Sequence, residues 1–191
     1  MKEARGLWKQ NQSQQPAERL IFLDESGAMT NMARRFGRAP IGQRVVSAVP
    51  GGHWKTVSMI GAIAVNGVVA SMAVQGPVDG EAFKVYVRQI LTPQLRPGDV
   101  VVMDNLSSHK VAGVREMIEQ TGAKLMYLPP YSPDFNPIEN IWSKIKQKLR
   151  SIGARTFEAL LDAISEAFGS VTSEDCRGSI RHCGYTLHNS G

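Results

Sequence analysis

Residues 57–74 read VSMIGAIAVNGVVASMAV, the longest apolar stretch of the chain. Its length would suit a membrane-spanning helix. Asn66-Gly67 divides it in the middle, however, and an Asn-Gly pair between two β-rich runs is a strong hairpin signal, because both residues tolerate the positive φ of a type I′ turn. We therefore predict two buried strands, at about Thr56–Val65 and Val68–Val74, and no membrane span.

Strand and helix patterns continue on both sides of this hairpin. An apolar run upstream predicts a first strand at about Arg19–Asp24, and the downstream sequence alternates between helices and strands. The downstream elements are predicted to be a helix capped by Asp79 with Phe83, Val87, Ile90 and Leu91 on its inner face, a strand at Val100–Met103, a helix at Ala112–Gln120, a strand at Lys124–Leu128 and a helix at Pro137–Leu149. A hairpin followed by such alternation predicts an α/β protein with a mixed five-stranded sheet flanked by helices, an order compatible with a ribonuclease H-like fold.

The length of 191 residues and a hydrophobic content of 42% suit one well-buried domain with short appendages. We predict an N-terminal linker or helix over residues 1–19, a main domain over 20–150 and a C-terminal helical extension over 151–191. The extension contains a helix at about Phe157–Phe168, whose apolar residues recur at helical spacing.

The chain is basic, with a net charge of +5 and a pI of about 9.4. A basic surface attracts polyanions, of which nucleic acid is the commonest. The two cysteines do not form a disulfide framework, and the N-terminus leads into no apolar signal segment. These features favour a DNA- or RNA-binding protein of the reducing cytoplasm.

Three carboxylates stand out by their position. Asp24 follows the apolar run at residues 20–23, Asp104 follows the run at 100–103, and Glu139 lies at the start of a lysine-rich helix. Magnesium prefers oxygen ligands, and two such ions can activate an attacking oxygen and stabilise a leaving one. Two carboxylates at strand ends and one at a helix start, in a basic protein, therefore predict a divalent-metal site that acts on phosphodiesters.

Each carboxylate also has a purely structural interpretation. Asp24 and Asp104 could each end a strand in an Asx-turn. Glu139 could complete a capping box, with Asn136 as the N-cap residue and a proline at the first helical position. Asp134, in the loop before the helix, is a lesser candidate for the metal site.

Seven further residues are candidate DNA contacts. They are basic side chains on the loop after Asp104, on the helix that begins near Glu139, or in the arginine-rich stretch after the first strand: His109, Lys110, Lys144, Lys146, Arg150, Arg34 and Arg35. Lys146 and Arg150 follow Glu139 by seven and eleven residues, so helical periodicity places them on its side of the helix, where they would hold phosphates near the metals. The alternatives are a solvated basic face and a solvated loop histidine, and Trp142 on the same helix is interpreted as a core residue.

Several segments resemble those of a known family. They are Phe22-Leu23-Asp24-Glu25-Ser26, Val102-Met103-Asp104-Asn105, Ser108-His109-Lys110 and the string LPPYSPDFNPIE at residues 128–139. Together they resemble the DDE transposases of the insertion-sequence 630 family, within the wider Tc/mariner superfamily. Thirty-four residues lie between Asp104 and Glu139, the spacing for which this family is named.

The resemblance implies a ribonuclease H-like core in which Asp24, Asp104 and Glu139 are the catalytic, metal-binding triad. It implies two Mg²⁺ or Mn²⁺ ions and cut-and-paste transposition, in which DNA is hydrolysed at the element's end and the freed 3′-hydroxyl attacks target DNA, typically at a TA dinucleotide. The expected partner is double-stranded DNA, bound by a homodimer, in the nucleoid of a bacterial cytoplasm.

Family members usually carry helix-turn-helix domains before the catalytic core, whereas about twenty residues precede the first strand here. We therefore expect a catalytic half alone, with a separate helix-turn-helix polypeptide as a possible source of end recognition. The alternatives are a non-catalytic remnant that binds DNA or a partner, and another ribonuclease H-like nuclease such as a ribonuclease H or junction resolvase.

Overall fold

A mixed five-stranded sheet forms the centre of the computed structural model, which describes residues 2–12, 15–48, 50–105 and 111–187. The strands are β1 (Leu20–Met29), β2 (Thr56–Ala64), β3 (Gly67–Gln75), β4 (Val100–Met103) and β5 (Lys124–Tyr127). Their order is β3-β2-β1-β4-β5, with antiparallel pairing from β1 to β3 and parallel pairing from β1 through β4 to β5. The predicted mixed five-stranded sheet flanked by helices is confirmed.

The first strand is longer than predicted. It does not end at Asp24 but continues to Met29, because β2 pairs with it antiparallel as far as Met29 opposite Thr56. The parallel pairing of β1 with β4, in contrast, ends at Leu23 and Met103. The prediction that Asp24 ends a strand was therefore wrong, and so was the Asx-turn alternative.

The hairpin at residues 57–74 is confirmed, but its turn differs from the predicted type. The turn lies at Val65-Asn66, and β3 begins at Gly67 with a φ of 127°. Asn66 does not adopt a positive φ; within the described ranges, Tyr131 is the single non-glycine residue that does. A type I′ turn needs positive φ at both central residues, so that assignment was wrong.

Six α-helices surround the sheet in the part of the chain that the structure describes. They are α1 (Lys2–Gln12), α2 (Gly80–Tyr86), α3 (Val114–Glu119), α4 (Ile138–Ile152), α5 (Phe157–Gly169) and α6 (Ser173–His182). Asp79 caps α2 as predicted, since its side chain accepts a hydrogen bond from the Ala82 N–H, and α2 continues as a π-turn over Val87–Leu91. None of the described helices is long and apolar enough to span a membrane.

The alternation of β1 assigns its side chains to two hydrophobic cores. Leu20 and Phe22 pack in the core that contains α4, α5 and α6, whereas Ile21 and Leu23 pack in the core that contains α2 and α3. The same alternation separates Val102 from Met103 on β4. Even-numbered positions at the ends of these two runs are therefore directed toward α4.

The C-terminal segment holds two helices where the sequence predicted one. A capping box starts α6, in which Thr172 accepts a hydrogen bond from the Asp175 N–H and the Asp175 side chain accepts one from the Thr172 N–H. Cys176 and Ile180 of α6 lie in the same hydrophobic core as α4 and the sheet.

Candidate active site

Asp24 and Asp104 are neighbours in the sheet. Leu23 on β1 is the register partner of Met103 on β4, and each aspartate is the next residue of its chain. Both lie two residues after side chains of the core that contains α4, Phe22 and Val102, so strand alternation directs the two carboxylates from the same level of the sheet toward the same layer. The sheet thus brings together two residues that lie 80 positions apart in sequence.

The third carboxylate comes from the first turn of α4. Helix α4 begins at Ile138 after the 3-10 turn Pro133–Phe135, and it packs on the sheet through Ile138, Ile141, Trp142, Ile145 and Leu149. The capping box that was the alternative interpretation of Glu139 is not formed, since Pro137 is the N-cap residue and the buried Asn136 Oδ1 has no hydrogen-bond partner among the described atoms. Glu139 itself is exposed.

One cavity of about 350 Å³ is lined by all three carboxylates. The loop at residues 128–133, Asn105 and Asn136 complete its walls. Within the described residues no group of three or more His, Cys, Asp or Glu side chains is already placed to hold a metal ion. The fold therefore gathers the predicted triad in one cavity without closing it to ligating distance.

Asp24 is the buried carboxylate of the triad, and its surroundings destabilise its ionised form. The pKa of the Asp24 carboxyl is raised from 3.8 to about 7, chiefly by burial and also by the negative charges of Glu139 and Asp104. A backbone hydrogen bond from Glu25 and the indole of Trp142 act in the opposite direction. A cation in the cavity would counteract this shift by favouring the ionised carboxylate, so the oxygen donors and the excess negative charge both fit a divalent metal.

Trp142 has a role at the site beyond the core packing that its helical position predicts. Its Nε1–H donates a hydrogen bond to Asp24 Oδ2 at 3.2 Å, and its ring packs edge-on against Phe168. The indole lies over Gly61, which is the register partner of Asp24 on β2. Helical periodicity alone gave no signal for this contact.

Asp134 is bound to the N-terminal helix rather than directed at the triad. The Arg5 guanidinium donates to both of its carboxylate oxygens, at 3.0 and 2.7 Å, and to Ser132 Oγ at 2.8 Å. This hydrogen bonding lowers the pKa of Asp134, and the guanidinium also stacks over the Phe135 ring. Arg5 thereby fixes the loop that leads to Glu139.

The C-terminal segment supports the same loop from the other side. The Tyr185 hydroxyl donates to the Phe135 carbonyl at 2.8 Å, and the Ser179 hydroxyl donates to the Pro137 carbonyl. Residues beyond 151 are therefore in direct contact with the chain that positions Glu139.

The candidate DNA contacts separate into different environments. Arg34, Arg35 and Arg150 line a cavity of about 500 Å³ with Phe36, Ser143, Gln147 and Ser151, and Arg34 donates to Ser151 Oγ at 2.8 Å. Lys144 is instead paired with Asp175 of α6, and Lys146 is half-buried. His109 and Lys110 lie outside the described residues.

A family model described as DDE superfamily endonuclease matches residues 19–161. The chain belongs to this family. Over 74 residues it is also 30% identical to the Transposable element Tc1 transposase of Caenorhabditis elegans, a match that covers 39% of this chain and 27% of the relative.

Two solved structures of Mos1 transposase share the fold. The Mos1 strand transfer complex matches with a TM-score of 0.75 at 19% identity, covering 95% of this chain and 56% of that one. The catalytic domain of Mos1 mariner transposase matches with a TM-score of 0.58 at 15% identity, covering 98% and 93%. The predicted ribonuclease H-like fold is confirmed, and the chain spans about half of the Mos1 chain in the complex and about a quarter of Tc1 transposase.

Proposed function

We propose that this chain is the catalytic part of a DDE transposase that cuts and joins DNA by cut-and-paste transposition. The observation that carries the proposal is the single cavity lined by Asp24, Asp104 and Glu139. Membership of the DDE endonuclease family and the likeness to Mos1 and Tc1 transposases support it. Within the family, the string at residues 128–139 favours the insertion-sequence 630 group.

The three carboxylates would hold Mg²⁺ or Mn²⁺, and two ions are expected. Mos1 paired-end complexes are described with Mn and with Mg, which supports either metal. Bound divalent ions would activate the attacking oxygen and neutralise charge that develops on the phosphate. Asp24 on β1 and Asp104 directly after β4 would supply ligands from the sheet, whereas Glu139 would supply one from the first turn of α4.

The reaction has two steps, and each step replaces one P–O bond by another. Water would first attack the phosphodiester at the element's end, and the freed 3′-hydroxyl would then attack a phosphodiester of the target, which we expect at a TA dinucleotide. Each step breaks the bond to a leaving oxygen as it forms the bond to the attacking one. No covalent bond between enzyme and DNA is required.

The second cavity, lined by Arg34, Arg35 and Arg150 and called the basic groove below, would hold the DNA backbone beside the triad cavity. Ser143, Gln147 and Arg150 follow Glu139 on α4 by four, eight and eleven residues, which keeps them near one side of the helix. Eleven residues of helix measure about 16 Å, the length of roughly five nucleotides of one strand. Lys146, His109 and Lys110 would add phosphate contacts. Lys144 would do so only after its ion pair with Asp175 is broken.

The wider setting is proposed on the same basis. A homodimer would assemble on double-stranded DNA in the bacterial nucleoid, with end recognition supplied by a helix-turn-helix polypeptide. Residues 20–150 would be the catalytic unit, residues 1–19 would brace its loop through Arg5, and residues 151–191 would support α4.

Asp104→Asn tests the proposal. The unsubstituted protein should nick plasmid DNA and join 3′-hydroxyl ends in Mg²⁺ or Mn²⁺, and the variant should lose both activities while its circular dichroism spectrum is unchanged. Asp162→Asn, on the exposed face of α5, is the matched control and should keep both. Equal cleavage by the Asp104 variant and the control would refute the assignment, and activity restricted to RNA–DNA hybrids or four-way junctions would indicate another nuclease.

A further inference from the structure

The indole of Trp142 reaches the triad from the helix layer. Its N–H donates to Asp24 Oδ2 at 3.2 Å, and its side chain is 2% exposed. Because the contact is buried, the hydrogen bond is shielded from solvent, and the packing around the indole holds the donor in place. With Oδ2 held by this hydrogen bond, the Oδ1 atom of the Asp24 carboxylate also has a fixed orientation.

Two neighbours hold the ring in place. Phe168 of α5 packs against it edge-on, with ring centroids 5.8 Å apart. Gly61 leaves the space that the ring occupies, since a Cβ at this position would lie 2.9 Å from Trp142 Cη2 and 3.3 Å from Phe168 Cε1. Gly61 is also the residue directly opposite Asp24 in the β1–β2 pairing. The space for the indole therefore lies on β2, immediately beside Asp24.

We propose that Trp142 is a positioning residue that orients the Asp24 carboxylate for metal binding, and that Gly61 is required to seat its indole. This inference rests on the proposed function of the triad. It adds a hydrogen-bond donor from outside the three carboxylates, in a position where such partners fix the direction of metal ligands. Trp142 touches neither DNA nor metal in this role.

Trp142→Phe separates the donor from the ring. The variant keeps an aromatic side chain between Gly61 and Phe168 but has no N–H. Mn²⁺ binding without DNA, measured from the electron paramagnetic resonance signal of free Mn²⁺, should weaken about 10- to 100-fold, the usual effect of removing an outer hydrogen-bond partner. Trp54→Phe, at an exposed tryptophan that does not line the triad cavity, is the matched control, and its Mn²⁺ affinity should stay within about twofold.

Gly61→Ala provides a second arm that does not depend on the folding of Trp142→Phe. The added methyl should displace the indole and weaken Mn²⁺ binding, and this effect should disappear in the double variant with Trp142→Phe, because the donor is already absent. Unchanged Mn²⁺ affinity in Gly61→Ala, or in a folded Trp142→Phe, would overturn the inference.

The proposed function fails separately. If the unsubstituted protein binds Mn²⁺, and Trp142→Phe weakens this binding, yet no DNA is cut or joined, then the transposase assignment is overturned while the positioning role stands. If the unsubstituted protein binds no Mn²⁺, both are overturned. Melting temperatures of all variants distinguish loss of ligand orientation from loss of the fold.

Discussion

Replacing Asp24 by asparagine should make the metal-free protein more stable, and increasingly so as the pH rises. The Asp24 carboxyl is buried beside two other carboxylates, and its pKa is raised from 3.8 to about 7. Between these two values the folded state binds a proton that the unfolded state has released, so stability falls as the pH rises through this range. Asparagine is neutral at every pH and keeps an oxygen that can accept from Trp142.

The size of the effect follows from the two pKa values. Linkage gives a loss of about 2.5 kcal/mol from this group alone between pH 5 and pH 8, since each pKa unit corresponds to about 1.4 kcal/mol. The difference in unfolding free energy between Asp24→Asn and the unsubstituted protein should therefore widen by about 2.5 kcal/mol over this interval. Other titrating groups are common to both proteins and cancel in the comparison.

Urea unfolding followed by circular dichroism at pH 5, 6, 7 and 8, in the presence of EDTA, measures this difference. Asp162→Asn is the control, and its surface position predicts a change below about 0.5 kcal/mol at each pH. A difference between Asp24→Asn and the unsubstituted protein that stays constant across the series would refute the electrostatic reasoning. Saturating Mg²⁺ at pH 8 should narrow the difference, because an ion at the cavity stabilises only the protein that retains all three carboxylates.

The basic groove and the Arg5 brace give two further predictions. Replacing both Arg35 and Arg150 by glutamine should weaken DNA binding equally for all sequences. It should also lower the magnitude of the slope of log K for DNA binding against log salt concentration by about 1.8, as measured by fluorescence anisotropy. Arg115→Gln, on α3 at the other face of the sheet, is the control and should leave this slope unchanged. Arg5→Met should free the loop at residues 129–135, raising its cleavage rate in limited proteolysis and lowering the rate of DNA nicking. Unaltered proteolysis and nicking would show that Arg5 does not brace the loop.

The sequence by itself determined which segments form strands and that Asp24 and Asp104 occupy equivalent positions after two apolar runs. Asp24 and Asp104 each follow four apolar residues, and runs of this kind form buried strands whose side chains alternate between two faces. Once the two runs pair in parallel register, the aspartates must be adjacent. Glu139 was placed with them by the motif at residues 128–139, because periodicity predicts a helix there but not its position on the sheet.

Only the tertiary structure decided which partners surround these residues. The Trp142–Asp24 hydrogen bond joins residues 118 apart, and Arg5 contacts Asp134 across 129 residues. The extension of β1 beyond Asp24 and the pairing of Lys144 with Asp175 likewise depend on elements that are distant in sequence. Local patterns encode backbone preference and the apolar face of each element, whereas hydrogen bonds and ion pairs between elements depend on how layers pack, which no short stretch of sequence specifies.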